Sequence, residues 1–317
     1  MIVYKYLDYE GVIGTIDNSS ALLRTPDRFN DPFDCDFYVS KKEKKKAFDL
    51  LMNYHCFKEL YSFFIIEQKE PVRFKCLGKI TKKNVSILAE SLSKEKRYKY
   101  QPDLGVLYAF YKVAMKKDDI DLKKEFDIKT KEALDKVRKA LLVSCFTQKY
   151  DSILMWSIYA KDHTGGCVEL EMNDKDLRKV KYLRKRKTFK LSKAFEYLLA
   201  CDFNEEKMEI DEKIHAFAAE PIFYKSKAWE NEKELRCVFS NNNRDKRIEE
   251  NENGVFLTGL SVKRIILGCQ ASKKLIEDVE RTHKNIPIYQ MKIVDGQYKL
   301  VAASFKQNNI SESGDQD

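Results

Sequence analysis

Apolar residues fall at strand-like positions near both ends of the chain and at helical spacing through much of its first half. Ile2 to Tyr6 reads as a short strand, about Asp8 to Asn18 as a helix, and Ala21 to Arg24 as a second strand. The segment Thr25 to Asp34 then places two prolines and four Asp or Asn in ten residues, which predicts turns rather than regular structure. From Lys41 to about Ile66, Phe48, Leu51, Tyr54, Tyr61 and Phe64 recur on one helical face. The same periodicity returns from Thr81 to about Lys99, from Asp103 to Met115 and from about Leu122 to Lys139.

Past that stretch the strand character resumes. Leu141 to Phe146 is a continuous apolar run of buried-strand length, followed by a short helix at Ser152 to Ala160 and a turn at Gly165-Gly166. The strand Cys167 to Glu171 leads into a basic arm, expected as a hairpin around Val180 to Leu183. Helices are expected at about 191–201 and 204–219, and strands at about 221–225, 234–239, 254–258 and 262–267. A helix near 271–282 and strands at Ile288 to Ile293 and Gln297 to Ala302 follow. The strand signals on either side of residues 41–140 need one another to complete a sheet. The predicted fold class is therefore α+β: a mixed or antiparallel sheet built from the chain's two ends, with a mostly helical insertion at about 41–140. Residues 1–305 read as one domain, and the polar segment Lys306 to Asp317 reads as a loose tail.

Composition narrows this picture without assigning a function. The 317 residues include 19 Phe and 17 Tyr, ample surface for a core, so disorder is excluded for most of the chain. The net charge of +9 is unevenly placed: residues 175–193 carry ten basic side chains against Asp176 alone, and residues 202–220 carry seven acids against Lys207 and Lys213. Such a stripe attracts polyanions, which makes nucleic acid a candidate partner through residues 175–193. A solvated face balanced by the acidic stretch is the plainer alternative. No signal-peptide pattern opens the sequence and no long uncharged apolar window occurs, so a cytoplasmic protein with no membrane partner is expected. The eight cysteines stand singly, without metal-ligand spacing, so reduced thiols and no metal are expected.

Three segments are too polar or too turn-bound to be simple core. In Phe29-Asn30-Asp31-Pro32-Phe33-Asp34, Asn and Asp order a loop that two Phe anchor, which by itself can be a structural turn. In Met155 to Gly166, Trp156 and Tyr159 share a helix face, and His163 follows the helix end, where it can serve as a cap or a functional group. In Tyr224 to Phe239, Glu232, Glu234 and Arg236 alternate at period two, so all three are expected on one side of a strand beside Trp229. That side would be costly to bury unless it were functional, while a Glu/Arg ladder open to water would carry little energetic weight. A metal-dependent nuclease pattern is not met, because Lys233 falls on the opposite face from Glu232 and Glu234.

Taken together, FNDPFD, the SCF…MWxxYAxxHxG run and WxxExExR resemble a bacterial family known as domain of unknown function 2971, over most of the chain. A more distant similarity is to the three-part layout of ADP-ribosyltransferases. It rests on Tyr4-Lys5-Tyr6 in the first strand, the aromatic turn from Phe29 to Phe33, and a Glu opening a late strand. This resemblance implies an NAD-consuming enzyme, a toxin or phage-defence effector, with NAD as co-substrate. It implies Glu234, then Glu232, as the carboxylate that stabilises charge on the ribose. Lys5 or Arg28 would hold a phosphate, and Tyr4, Phe29 or Trp156 would stack on nicotinamide or adenine. Asn30, Asp31, Tyr159, His163 and Arg236 would complete the cofactor site. The alternative is a non-catalytic nucleic-acid- or partner-binding module.

Overall fold

The strand β1 (Ile2–Leu7) lies in the interior of an eight-stranded sheet, between β3 (Leu141–Thr147) and β4 (Gly166–Glu171), antiparallel to both. The computed structural model describes residues 1–50, 119–194, 219–241, 245–283 and 285–305. The sheet extends past β3 through β8 (Glu234–Ser240) to the two-residue edge strand β5 (Arg178–Lys179). On the other side it extends past β4 through β11 (Ser261–Leu267), β12 (Ile288–Ile293) and β13 (Leu300–Ser304). Within this sheet, among the described residues, only β11 and β12 run parallel, and the chain between them forms a helix, the usual crossover of parallel neighbours. The expected α+β class and the mixed sheet drawn from the two ends of the sequence are both present.

Alternation along these strands separates two faces. Val3, Leu142, Phe146, Val168, Leu170, Leu235, Cys237, Ile265 and Leu267 form the larger core. Helix α1 (Tyr9–Asn18) covers it with Val12 and Ile16, one turn apart, and its N-cap Asp8 accepts from Gly11 N at 3.0 Å. The helix at Lys273–Thr282 adds Leu275 and Val279 with the same spacing and is capped by Ser272. A small sheet of β2 (Ala21–Leu23), β9 (Ile248–Asn251) and β10 (Gly254–Leu257) contributes Ala21, Leu23 and Leu257.

The opposite face carries Tyr6, Cys167, Ile266, Met291 and Leu300, packed under the short helix Ile153–Tyr159 through its fully buried Trp156. Trp156 meets Tyr6 edge-on at 5.1 Å and donates Nε1 to Tyr150 O at 2.8 Å. After this helix Lys161, Asp162 and His163 are all left-handed (φ 47, 54 and 67), a run that only tight local bonding sustains. Two glycines permit the loop to close: a Cβ on Gly165 would stand 2.2 Å from Leu7 O, and one on Gly268 1.9 Å from His163 O.

By contacts the chain divides into two compact units: Met1–Asp36 with Arg138–Lys185 and Ile222–Asp317, and Phe37–Val137 with Arg186–Pro221. In the second, helical residues 41–50 and the helix Asp119–Lys139 meet through Phe48 and Phe126 (5.4 Å) and Lys44–Asp127 (2.9 Å). The buried Glu43 carboxylate there accepts from Ser192 N and Oγ at 3.0 and 2.7 Å. The helices expected at 81–99 and 103–115, most of those at 41–66, 191–201 and 204–219, and the tail 306–317 lie outside the described residues.

Three local expectations are corrected, and one strand was not expected. The basic arm is not a hairpin: β5 pairs antiparallel with β8, and β6 (Lys181–Leu183) pairs parallel with β7 (Tyr224–Ser226). Buried Val180 donates its N–H to Glu234 O at 3.0 Å and turns the chain from one pairing to the other. The strand expected at 221–225 begins as 3-10 helix, Glu220–Phe223, since Pro221 has no N–H for a ladder. The last strand starts at Leu300 rather than Gln297. Strand β9, polar and mostly exposed, carried no apolar signal.

Candidate functional site

The third polar segment of the sequence forms the centre of a buried ionic cluster. Arg236 lies on β8 and is 0% exposed. Its guanidinium grips two carboxylates bidentately. Nη1 and Nη2 donate to Asp34 Oδ1 and Oδ2 at 2.8 and 2.7 Å, while Nε and Nη2 donate to Glu234 Oε1 and Oε2 at 2.7 and 3.0 Å. Nη1 also donates to Ile222 O and to Cys35 Sγ, so every guanidinium nitrogen is engaged. The Phe29 ring lies 5.5 Å from Cζ.

Lys225, on β7, ties this pair to a third carboxylate. Its Nζ donates to Glu232 Oε2 at 2.5 Å and Glu234 Oε2 at 3.1 Å, and lies 3.5 Å from Asp34 Oδ2. Tyr159 donates to the other Glu232 oxygen at 2.8 Å. Tyr182 Oη accepts from Glu234 N at 2.8 Å, and Thr147 donates to Glu232 O. The motif segments FNDPFD, MWxxYA and WxxExExR therefore meet at one point, contributing Asp34, Tyr159 and the Glu232–Glu234–Arg236 set.

Glu232 reaches that point by a route the alternation did not predict. The residues Lys227–Glu232 form a 3-10 helix, Lys233 is left-handed (φ 47), and β8 begins only at Glu234. Lys225 is absent from the expected site, and Asp34 enters it only as the last residue of the FNDPFD turn. Charge balance is the signal for the first, since two acids and one arginine in a buried motif call for a second cation. For the second the sequence carries no local signal, since Asp34 meets Arg236 across 202 positions, while Asp31 is used within its own turn by Phe33 N at 2.9 Å.

Three carboxylates against two cations leave one excess negative charge in a region where all five side chains are at most 8% exposed. Their environments push the two glutamates apart. Burial raises Glu232 above the usual carboxylate range despite the pull of Lys225. Burial acts upward on Glu234 too, but Arg236 and Lys225 outweigh it and bring it down to about 2. Burial opposes the Lys225 ammonium, yet the Glu234, Glu232 and Asp34 carboxylates hold it charged, above the ordinary lysine range. The pH dependence follows. Glu234 adds stability that is present above about pH 4.5 and lost as pH falls toward 2, while Glu232 works in the opposite sense. In denaturant melts between pH 6 and 2.5, Glu234→Gln is expected to flatten the acid loss of stability. An acid limb unchanged by that substitution would refute the assignment.

The cluster belongs to a longer polar row. Glu234 on β8 pairs with Thr147 on β3, Thr147 with Tyr4 on β1, Tyr4 with Glu169 on β4, and Glu169 with Arg264 on β11. Five adjacent strands thus contribute one residue each to the same face, about 19 Å from end to end at about 4.8 Å per strand.

The remaining expected residues divide. Tyr4, Phe29, Tyr159, Arg236 and both glutamates lie in or along the row and cluster. Lys5 leaves β1 on the other face, where its ammonium donates to Ser144 Oγ and Cys145 O at 3.0 Å and lies over Phe146. Burial lowers its pKa. Arg28 and Asn30 are exposed on the loop, and Asp31 is buried within its turn. Trp156 is wholly enclosed and presents no ring face for stacking. His163 is held away from the cluster, with Nε2 3.1 Å from Ser157 Oγ and its ring stacked near Trp156 at 6.3 Å. Of the basic stripe, all ten side chains are exposed, with Arg178 lying over Phe223 at 4.3 Å and Lys187 paired to Glu220 at 2.7 Å.

Residues 155–237 match the family model described as Protein of unknown function (DUF2971). The chain resembles that family over this stretch, which holds Trp156, Tyr159, Lys225, Glu232, Glu234 and Arg236. No curated protein and no solved structure matches the chain. Among the described residues, no helix is long and apolar enough to cross a membrane.

Proposed function

We propose that the protein is an NAD-consuming transferase of the ADP-ribosyltransferase type, a cytoplasmic toxin or phage-defence effector that modifies a nucleic acid or a protein. The observation that carries this reading is the excess negative charge of the buried cluster. A site holding Asp34, Glu232 and Glu234 against Lys225 and Arg236 is poorly balanced in the resting protein and is balanced by a cation arriving beside it. Cleaving the bond between nicotinamide and ribose creates such a cation: the bonding electron pair leaves with the nicotinamide nitrogen and positive charge develops on the ribose. A fixed carboxylate stabilises that charge selectively in the transition state.

Glu232, rather than Glu234, suits that role. Both Glu234 oxygens are committed to Arg236, with Lys225 sharing one of them, whereas each Glu232 oxygen has one partner, Tyr159 or Lys225. A carboxylate oxygen accepts about two hydrogen bonds, so Glu232 retains capacity for a ribose hydroxyl. Glu234 and Arg236 hold it in place. An acceptor nucleophile then bonds to the ribose carbon, and its proton passes to the carboxylate or to water.

The exposed stripe at 175–193 favours nucleic acid as the acceptor, and the five described cysteines are free thiols, as in a reducing compartment. The test is release of free nicotinamide from NAD by the purified full chain, with and without DNA or RNA. Release is expected and should rise with the acceptor. No release under either condition overturns the reading and leaves salt-dependent nucleic-acid binding by the stripe as the alternative function.

A further inference from the structure

At the far end of the polar row from the glutamates stands a second arrangement that the chemistry above does not use. The ladder between β11 and β4 shifts register between Val262 and Arg264, so that Val262 faces Leu170 and Arg264 faces Glu169. A regular strand would have put residue 264 on the same face as Val262, toward the larger core. The bulge turns Arg264 onto the face of Tyr4 and Glu169, and bulges commonly re-aim a side chain in this way. Lys263, displaced by it, pairs with Glu171 at 2.6 Å instead.

The guanidinium so placed is enclosed by aromatic rings but only partly used. Tyr150, Tyr289 and Tyr4 surround Cζ at 5.0, 5.4 and 5.9 Å. Nε donates to Glu169, and Nη2 donates to Tyr4 Oη at 3.2 Å. Among the described residues Nη1 has no acceptor, and the Arg264 side chain keeps 24% of its exposure. This is the opposite of Arg236, whose nitrogens are all engaged at zero exposure. A planar guanidinium held on one edge, with N–H groups open on the other, matches a phosphate oxygen pair.

We propose that Arg264, positioned by the β11 bulge and framed by Tyr4, Tyr150 and Tyr289, is an anion subsite that takes the phosphate groups of a nucleotide ligand. This rests on the reading that the Glu232 end of the same row takes the ribose. Because Arg264 reaches back to Tyr4 on the middle strand of the row, its guanidinium stands about two strand spacings, ~10 Å, from the Glu234 strand, a gap that a ribose and the pyrophosphate attached to it can bridge. Glu169 sets the affinity from the other side, because its carboxylate offsets the charge that the phosphate meets.

Titration calorimetry on the full chain with ADP-ribose and, separately, inorganic pyrophosphate tests this. Arg264→Gln is expected to weaken both probes about 10- to 100-fold, the worth of a charged hydrogen-bonding pair. Arg264→Lys should recover part of the loss. Glu169→Gln is expected to tighten both several-fold, a gain that misfolding cannot mimic, and melting temperatures confirm that each variant is folded. Failure of the wild-type chain to bind either probe, or binding unaltered by Arg264→Gln, overturns the subsite. If nicotinamide release depends on Glu232 but binding ignores Arg264, the subsite alone falls. If pyrophosphate binding depends on Arg264 but NAD is not cleaved, the subsite stands and the transferase reading falls.

Discussion

Replacing Arg236 with alanine is expected to cost about 3–5 kcal/mol of folding stability. The side chain is fully buried, and its removal leaves the Asp34 and Glu234 carboxylates without their bidentate partner. Lys225 would remain against Asp34, Glu232 and Glu234, one cation facing three acids. Restoring charge alone does not restore the fit: Arg236→Lys keeps a cation but loses the planar fork that binds both carboxylates, so it too is expected to be destabilised. Coupling provides a sharper check. Because Asp34 and Arg236 share two hydrogen bonds, the double variant Asp34→Asn/Arg236→Ala should be less destabilised than the sum of the single changes. Urea melts of the four proteins measure this. A cost for Arg236→Ala below about 1 kcal/mol, in the range of exposed ion pairs, would contradict the buried bidentate pairing of Arg236.

How much of this was legible in the sequence depends on where each residue's partners lie. Strand Leu141–Thr147 and the Ile265–Leu267 end of β11 are apolar because both faces are covered, and they announce themselves. Strand β9, Ile248–Asn251, gains its order from pairing with β10 rather than from burial, so no pattern of hydrophobicity marks it. The period-two spacing of Glu232, Glu234 and Arg236 pointed to a shared site, and they do share one. The route is different, since a left-handed Lys233 separates a 3-10 turn from the strand, and Lys225 draws the two carboxylates together.

Asp34 and Lys225 pair with residues 202 and as few as 7 positions away, respectively, and local pattern is silent about the first kind of contact. The strand-order row that links Glu234 to Arg264 is less legible still. It depends on four register pairings and one bulge, none of which is written in composition or periodicity. Conversely, it is the resemblance that draws Trp156 and His163 into the expected cofactor site. Trp156 instead fills the core above Tyr6, and His163 N–H bonds to Trp156 O to close the loop after its helix.

The second large effect concerns chemistry rather than stability. Glu232→Gln keeps the size and hydrogen-bonding shape of the side chain but removes its charge. A transition state that places a cation beside Glu232 then loses its principal electrostatic partner, an interaction of the kind whose removal costs about 100- to 1,000-fold in turnover. The fold should tolerate the change, because the amide oxygen can still accept from Lys225 or Tyr159 and one buried negative charge is gone. Glu234→Gln should instead weaken the fold, since it breaks charge pairing with Arg236 and Lys225 together.

The most direct test is therefore the rate of nicotinamide release from NAD by the wild-type chain and by folded Glu232→Gln, measured side by side with their melting temperatures. The account predicts measurable release by the wild type, a loss of at least about 100-fold in the variant, and a melting temperature that is unchanged or raised. Release that persists in Glu232→Gln, or its absence from the wild type, would contradict it.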